Sequence, residues 1–320
     1  MAILVTGGAG FIGSSLLDRL AQGGKELVCW DEFNDYYDPR IKRGNIAPLL
    51  DAKRIRLYEG DICDLALGEK VFSENQIETV VHLAARAGVR PSLKDPLLYE
   101  RTNGLGTVTL LELARKHDVP KFVFGSSSSV YGNSRRLPFS EDDPVDAPIS
   151  PYAVTKRANE LMCHSYHAIY KMTIACLRFF TVYGPRGRPD MAIYLFTDAM
   201  ENGREIVMYG DGSTRRDYTF ISDILDGIEG AMRLDNGFGI FNLGESRTTE
   251  LRRLIELISE ATGREPKIRR EPMQPGDVDA TYANISRARE HLGYNPGFPL
   301  EKGIPIFVEW YRKHVKPLKG

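Results

Sequence analysis

Short runs of β-branched and aromatic residues alternate with longer stretches of helical period through the first 180 residues. That alternation is the signature of βαβ units laid on a parallel sheet. The runs Ile3–Val5, Leu27–Trp30, Ile55–Tyr58, Thr79–Leu83, Phe122–Phe124 and Ile174–Leu177 predict strands, and the stretches Phe11–Ala21, Leu105–Lys116 and Tyr152–Ile169 predict helices. The last helix opens on Ser150-Pro151, an N-cap followed by proline at the first helical position. Beyond residue 180 the pattern becomes irregular and richer in Pro, Gly and Arg, which predicts a second lobe of loops and short elements. Within it Tyr218–Gly244 reads strand, helix, strand and is expected to return to the first sheet. The expected architecture is therefore α/β: a doubly wound parallel sheet over residues 1–180, rejoined at about 218–244, and a smaller mixed α/β substrate-binding lobe over 181–320.

A length of 320 residues supports two lobes and a core that needs no staples. With 42 Lys+Arg against 43 Asp+Glu, interspersed, the chain lacks the one-sided basic face of a nucleic-acid or membrane binder. The cluster Lys267, Arg269, Arg270 is balanced by Glu265 and Glu271 and reads as solvated surface. Cys29, Cys63, Cys163 and Cys176 form no CxxC and sit in apolar stretches, which fits a reducing compartment and no metal site. The N-terminus enters a strand at once and no apolar run approaches a membrane span, so a cytoplasmic, soluble protein is expected. Asn284-Ile-Ser matches the glycosylation triplet and reads as accidental in such a chain.

Candidate chemistry begins at Gly7-Gly-Ala-Gly10-Phe11-Ile12-Gly13, between the first strand and the first helix. Glycines there allow a tight turn and let a pyrophosphate approach the helix N-terminus. The GxxGxxG spacing by itself says only strand, turn, helix; its position at the start of a βαβ unit makes it a Rossmann-type dinucleotide site. Asp31, at the end of the second strand and 18 residues past Gly13, stands where an acid accepts from an adenosine ribose and disfavours a ribose phosphate, selecting NAD; it also reads as a turn residue. Asp61-Ile62 and Leu83-Ala84-Ala85 end the third and fourth strands, on the ligand side of such a sheet. Asp61 is a candidate acceptor for the adenine amine, whereas Ala84 and Ala85 either leave room for the cofactor or pack strand against helix. His82 reads as a core histidine.

Tyr152-Ala-Val-Thr-Lys156 places a phenol and an ammonium at i and i+4 on one helix face, where the lysine would lower the tyrosine pKa toward that of a general base. The alternative is an amphipathic-helix pair without chemistry. Ser126-Ser127-Ser128-Ser129-Val130-Tyr131 at the end of the fifth strand offers hydroxyls for an oxygen undergoing oxidation, or an ordinary polar turn.

Together with Arg178-Phe-Phe-Thr181-Val-Tyr-Gly-Pro, Gly210-Asp-Gly-Ser-Thr-Arg-Arg216 and Gln274-Pro-Gly-Asp277, these residues resemble the extended short-chain dehydrogenase/reductase superfamily, and within it the nucleotide-sugar 4-epimerases, over essentially the whole chain. The resemblance implies bound NAD, a catalytic set of Ser127, Tyr152 and Lys156, and a UDP-sugar held by Ser127, Ser128, Thr181, Arg216, Gln274 and Asp277. It also implies a homodimer formed through the helices at Leu105–Lys116 and Tyr152–Ile169, whose apolar residues could equally be core.

Phe33–Arg43, Ala85–Ser92 and Thr181–Met191 are similar to the UDP-glucuronate 4-epimerase branch, which makes Arg90 and Arg186 candidates for phosphate or sugar carboxylate, or else structural loop arginines. Two positions depart from the pattern: Asn284 stands where an Asp is frequent, and Thr281 is a small residue at the position that gates the sugar's carbon 2. Decarboxylases of the superfamily carry an acid beside the serine run; this chain has none there, which favours epimerisation. A UDP-glucose epimerase and a non-catalytic NAD-binding protein are the other readings.

Overall fold

In the computed structural model, which describes residues 1–273 and 278–316, each of the six apolar runs becomes a strand. These are β1 (Ala2–Thr6), β2 (Glu26–Asp31), β3 (Arg56–Glu59), β4 (Ile77–His82), β5 (Lys121–Ser127) and β6 (Thr173–Phe179). Between them run α1 (Phe11–Leu20), α2 (Pro39–Asp51), α3 (Leu65–Glu74), α4 (Val89–Lys94), α5 (Pro96–Tyr99), α6 (Gly106–Lys116) and α7 (Pro151–Tyr170). Beyond them follow β7 (Thr181–Tyr183), α8 (Ala192–Glu201), β8 (Glu205–Tyr209), β9 (Arg215–Arg216), β10 (Tyr218–Phe220), α9 (Ile221–Met232) and β11 (Phe238–Leu243). The chain ends with β12 (Thr249–Glu250), α10 (Leu251–Thr262), β13 (Lys267–Glu271), α11 (Ser286–Leu292) and α12 (Leu300–His314).

The central sheet has seven strands in the order β11-β6-β5-β4-β1-β2-β3, all parallel. Its strands read as continuous apolar runs because both faces are covered. Ile3, Val5, Cys29, Val81, Val123 and Leu177 pack on one side with Leu16, Leu17, Ile46 and Ile224 of α1, α2 and α9. Leu4, Val28, Trp30, Val80, Phe122 and Cys176 pack on the other with Val71, Leu110, Leu113 and Tyr166 of α3, α6 and α7. The strand order reverses between β1 and β4, and an open α/β sheet binds its ligand in the crevice at that point, beyond the carboxyl ends of the strands.

The expected return of the chain is half correct. β11 joins the central sheet beside β6, with Phe241 opposite Leu177. β10 instead pairs with β7 in a separate two-stranded ribbon, Thr219 opposite Val182. The ribbon sets Thr181 opposite Tyr218.

Capping explains several element boundaries. Ser150 accepts from Ala153 N before Pro151, as the dipeptide predicts. Asn284 accepts from Ser286 N at 3.0 Å, so the amide does the work of the expected acid at the start of α11. A π-helical turn at Glu100–Leu105 precedes α6. Among the described residues no helix is long and apolar enough to cross a membrane, the four cysteines are free, and no group of His, Cys, Asp and Glu is arranged to hold a metal ion.

Candidate active site

β1 runs directly into the glycine turn, and each glycine there answers a close approach. Gly7 adopts φ +66°, and a Cβ on it would stand 2.7 Å from Ala84 N; one on Gly13 would stand 2.2 Å from Gly7 O. Gly10 precedes α1 with no side-chain cap, so the first amides of the helix are left for a ligand. A cavity opens over this turn, lined by Gly7, Gly10, Phe11, Ile12, Gly13, Asp31, Ile62, Leu83, Ala84 and Ala85. This backbone cradle fits a dinucleotide pyrophosphate.

Asp31 braces the cradle as well as lining it. Its Oδ2 accepts from Ala9 N at 3.0 Å and its Oδ1 from Phe33 N at 2.9 Å, so the same carboxylate holds the turn and lines the cavity. Burial pushes its pKa up, against those two hydrogen bonds. Glu32, Asn34, Tyr36, Tyr37 and Lys42 extend the same wall.

Asp61 does not line the cavity, in contrast to the expectation that it meets the adenine. It accepts from Cys63 N and pairs with Arg101 at 2.7 Å. His82 is a core histidine: Nδ1 meets Thr6 Oγ1 at 2.8 Å and Nε2 meets Thr107 Oγ1 at 3.0 Å. Burial and the nearby Lys156 charge hold its pKa down at about 3.

The other half of the cavity is lined by Ser127, Ser128, Tyr152, Lys156, Thr181, Arg216 and Thr281. The end of β5 supplies the serines, α7 the tyrosine and lysine, and β7 the threonine. Burial pushes the Tyr152 phenol up, while the neighbouring Ser127 hydroxyl and the Arg188 charge act to pull it down.

Lys156 is tied to β5 as well as lying beside Tyr152. Its Nζ donates to Gly125 O at 2.6 Å, stands over the Phe124 ring and lies 5.9 Å from the centre of the Tyr152 ring, with burial lowering its pKa to about 8. The Arg188 charge is a second cation acting on the phenol.

The two candidate arginines are also placed differently from expectation. Arg90 is exposed, with its guanidinium carbon 4.7 Å from the centre of the Tyr209 ring. Arg186 adopts φ +68° and pairs with Asp18 of α1 at 2.6 Å. Neither lines the cavity, whereas Arg188, two residues further on, does. Within the segment singled out from the sequence, Arg186 holds a left-handed backbone conformation and its guanidinium goes to Asp18. Gln274 and Asp277 lie outside the described residues.

Reading the sequence also passed over Asn103, in the π-helical turn. Its amide accepts from Arg86 N at 2.8 Å and donates to Arg86 O at 3.0 Å and to Thr155 Oγ1 at 3.1 Å. Asn159 Nδ2 donates to Asn103 O. The turn thus ties the loop after β4 to the catalytic helix, and the wide spacing of a π turn gives no periodic signal in the sequence.

Residues 3–244 match the family described as NAD dependent epimerase/dehydratase. A UDP-glucuronate 4-epimerase of Thermodesulfobacterium geofontis is 38% identical over 99% of this chain and 98% of its own length. The crystal structure of UDP-glucuronic acid 4-epimerase from Bacillus cereus, in complex with UDP-glucuronic acid and NAD, is 35% identical with a TM-score of 0.92, covering 98% of this chain and 99% of that one. A UDP-glucose 4-epimerase of Thermotoga maritima, solved with UDP-glucose, is 33% identical with a TM-score of 0.92, covering 99% and 100%.

Proposed function

The chain belongs to the NAD dependent epimerase/dehydratase family, and on that premise we propose that it inverts carbon 4 of UDP-glucuronate to give UDP-galacturonate. The observation that carries this reading is that Ser127, Tyr152 and Lys156 line the same cavity as the glycine turn. When bound at that turn, NAD supplies a hydride acceptor that gives the hydride back within the same cycle.

Ser127 would hold the carbon-4 oxygen, and Tyr152, as phenolate, takes its proton and later returns it. Ser127 and the Arg188 charge are the groups that offset the cost of a buried phenolate. Lys156, directed at Gly125 O in this structure, is close enough on α7 to turn toward the phenol or a cofactor ribose. Between the two proton transfers the sugar is a 4-ketone that must present its other face, so the UDP end is fixed and the sugar end left room. Arg216, Thr181, Gln274 and Asp277 are the proposed anchors, and a small Thr281 keeps space beside carbon 2.

A uronate is favoured over a neutral sugar because Arg188 lines the cavity together with Ser127, Ser128 and Thr181, and guanidinium with hydroxyls suits a carboxylate. Among the described acids only Asp31 and Glu32 line the cavity, which supports epimerisation over a decarboxylation that needs an acid beside carbon 5. UDP-glucose is the second reading, supported by the likeness to the Thermotoga maritima enzyme.

Residues 1–180 with β11 would form the NAD-binding part and the rest of 181–320 the UDP-sugar lobe. The exposed Leu97, Leu105, Val154, Leu161 and Ile169, spread over α5, the π turn and α7, support a homodimer through that face. Incubation with UDP-glucuronate and UDP-glucose in parallel, with products identified by NMR, tests the assignment: UDP-galacturonate from the first is expected, and conversion of UDP-glucose alone would give the function to the second reading.

A further inference from the structure

Arg188 does not face the cavity alone. Its Nε and Nη2 donate to the two oxygens of Asp190 at 2.9 and 2.8 Å, and Nη2 also lies 3.6 Å from Met191 Sδ. These contacts take the Nε–Nη2 side of the fork and leave Nη1 as the remaining nitrogen. Asp190 Oδ2 in turn accepts from the Tyr36 hydroxyl at 3.1 Å, and the guanidinium carbon stands 5.8 Å from the centre of the Tyr36 ring. Tyr36 therefore touches both members of the ion pair.

Tyr36 comes from a distant part of the chain. It lies in the loop between β2 and α2, which follows Asp31 and carries Glu32. Its backbone N–H donates to Asn34 Oδ1 at 3.2 Å, and the buried Lys42 ammonium fixes Asn34 through its backbone oxygen and Oδ1, both at 2.8 Å. The loop after β4 closes on the same phenol: Gly88 adopts φ +98°, and a Cβ there would stand 2.8 Å from the Tyr36 hydroxyl. Burial and the Asp190 charge push the Tyr36 phenol up, so it remains a donor. Burial acts to raise the Asp190 carboxyl, but the hydrogen bonds and charge of Arg188 and the Tyr36 bond outweigh it and keep it ionised.

We propose that Tyr36 and Asp190 are positioning residues that aim Arg188 at the sugar, so that the loop following Asp31 sets the direction of the guanidinium. This rests on the reading of a uronate substrate given above. A planar fork binds a carboxylate only along its N–H directions, so its affinity for a charged substituent depends on aim. A neutral hydroxymethyl group depends on that aim far less. With the Tyr36 hydroxyl removed, the Arg188–Asp190 pair remains but is free to swing.

The test is calorimetric titration of UDP-glucuronate and of UDP-glucose into NAD-loaded wild type, Tyr36→Phe, Asp190→Asn and the double variant. Each single substitution is expected to weaken UDP-glucuronate binding about tenfold, the scale of one hydrogen bond to a charged group, and to leave UDP-glucose within about twofold. The double variant should bind UDP-glucuronate no more weakly than Asp190→Asn, because both residues act through one guanidinium. Unchanged UDP-glucuronate affinity in Tyr36→Phe, equal losses for both sugars, or losses that add in the double variant would each overturn the proposal while leaving the substrate reading intact. Wild-type protein that binds neither sugar nucleotide would overturn the substrate reading, and the proposal with it.

Discussion

Glu160 accepts two hydrogen bonds from Arg178, Nε to Oε1 and Nη2 to Oε2, both at 2.8 Å, with side chains 0% and 1% exposed. Ser126 Oγ donates to the same carboxylate at 2.6 Å. Arg178 Nη1 donates to the Tyr131 hydroxyl, which donates to Asn242 Oδ1 at 2.7 Å. Glu160 lies on α7 one turn beyond Lys156 and two beyond Tyr152, so the pair fastens the catalytic helix to β5, β6 and β11 beneath Ser127.

Removing one partner of such a pair leaves a buried charge uncompensated, at a cost of about 3 to 5 kcal/mol. Arg178→Met is expected to lose stability on that scale by denaturant unfolding, whereas Arg157→Met, which removes a partly exposed guanidinium from the same carboxylate, should lose about 1 kcal/mol or less. Equal losses would show that the buried network carries no special share.

Tyr152→Phe removes the proton acceptor and leaves the glycine cradle intact. Turnover is expected to fall by about 100-fold or more, with bound cofactor unchanged when the protein is denatured and the released nucleotide assayed. A variant that kept near wild-type turnover would remove Tyr152 from the role of base.

Protein purified without added cofactor is expected to carry NAD and little NADP. Asp31 and Glu32 both line the cofactor end of the cavity, and two carboxylates there repel a ribose phosphate. The assay of released nucleotide decides it, and a preparation holding mostly NADP contradicts the role given to Asp31.

What was legible in the sequence was the part governed by local rules. The strands are apolar because both faces of the sheet are covered, the glycines mark places with no room for a Cβ, and Tyr152 and Lys156 share a helix face by period. What was not legible depends on where loops travel. Arg186 and Arg188 are chemically identical and two positions apart; only the left-handed turn at Arg186 decides which meets Asp18 and which enters the cavity. Tyr36 meets Asp190 across 154 positions, a contact no local pattern encodes. Lys156 was placed correctly by period, but the direction of its ammonium follows from Gly125 O.

Stability should fall as pH rises through neutrality. Burial and the charges of Asp223 and Asp217 push the Glu245 carboxyl up to about 7, and its Oε2 is buried without a hydrogen-bond partner. A carboxyl with a raised folded pKa binds its proton more tightly in the native state. Its contribution is complete below the ordinary value of 4.5 and is lost as pH rises to about 7. Asp217, pushed up to about 6 by burial against four hydrogen bonds, acts in the same direction. The buried His82, held at about 3 against an ordinary 6.5, acts the other way below pH 6.5, so melting temperatures should decline on going from pH 6.5 to pH 8, and Glu245→Gln should flatten that decline; an unchanged slope in that variant would assign it to other groups.

The last expectation concerns the fate of the oxidised sugar. Oxidation at carbon 4 of UDP-glucuronate makes a β-keto acid, which loses carbon dioxide when the bond between carbons 5 and 6 stands perpendicular to the carbonyl plane. An epimerase must hold that bond away from perpendicular and keep acids away from carbon 5. The hydroxyls of Ser127, Ser128 and Thr181 line the cavity with Arg188, which replaces Arg186 in this role because Arg186 is held by Asp18. Hydrogen bonds to a charged acceptor contribute about 1.5 to 3 kcal/mol each, enough for two of them to fix the rotation about that bond. Wild-type protein should therefore yield UDP-galacturonate with negligible UDP-pentose. Thr181→Val or Arg188→Ala should slow epimerisation about tenfold or more and raise the pentose fraction, read by NMR of the product mixture. Substantial pentose from wild type would favour the decarboxylase reading, and unchanged kinetics in both variants would take Thr181 and Arg188 out of the carboxylate site.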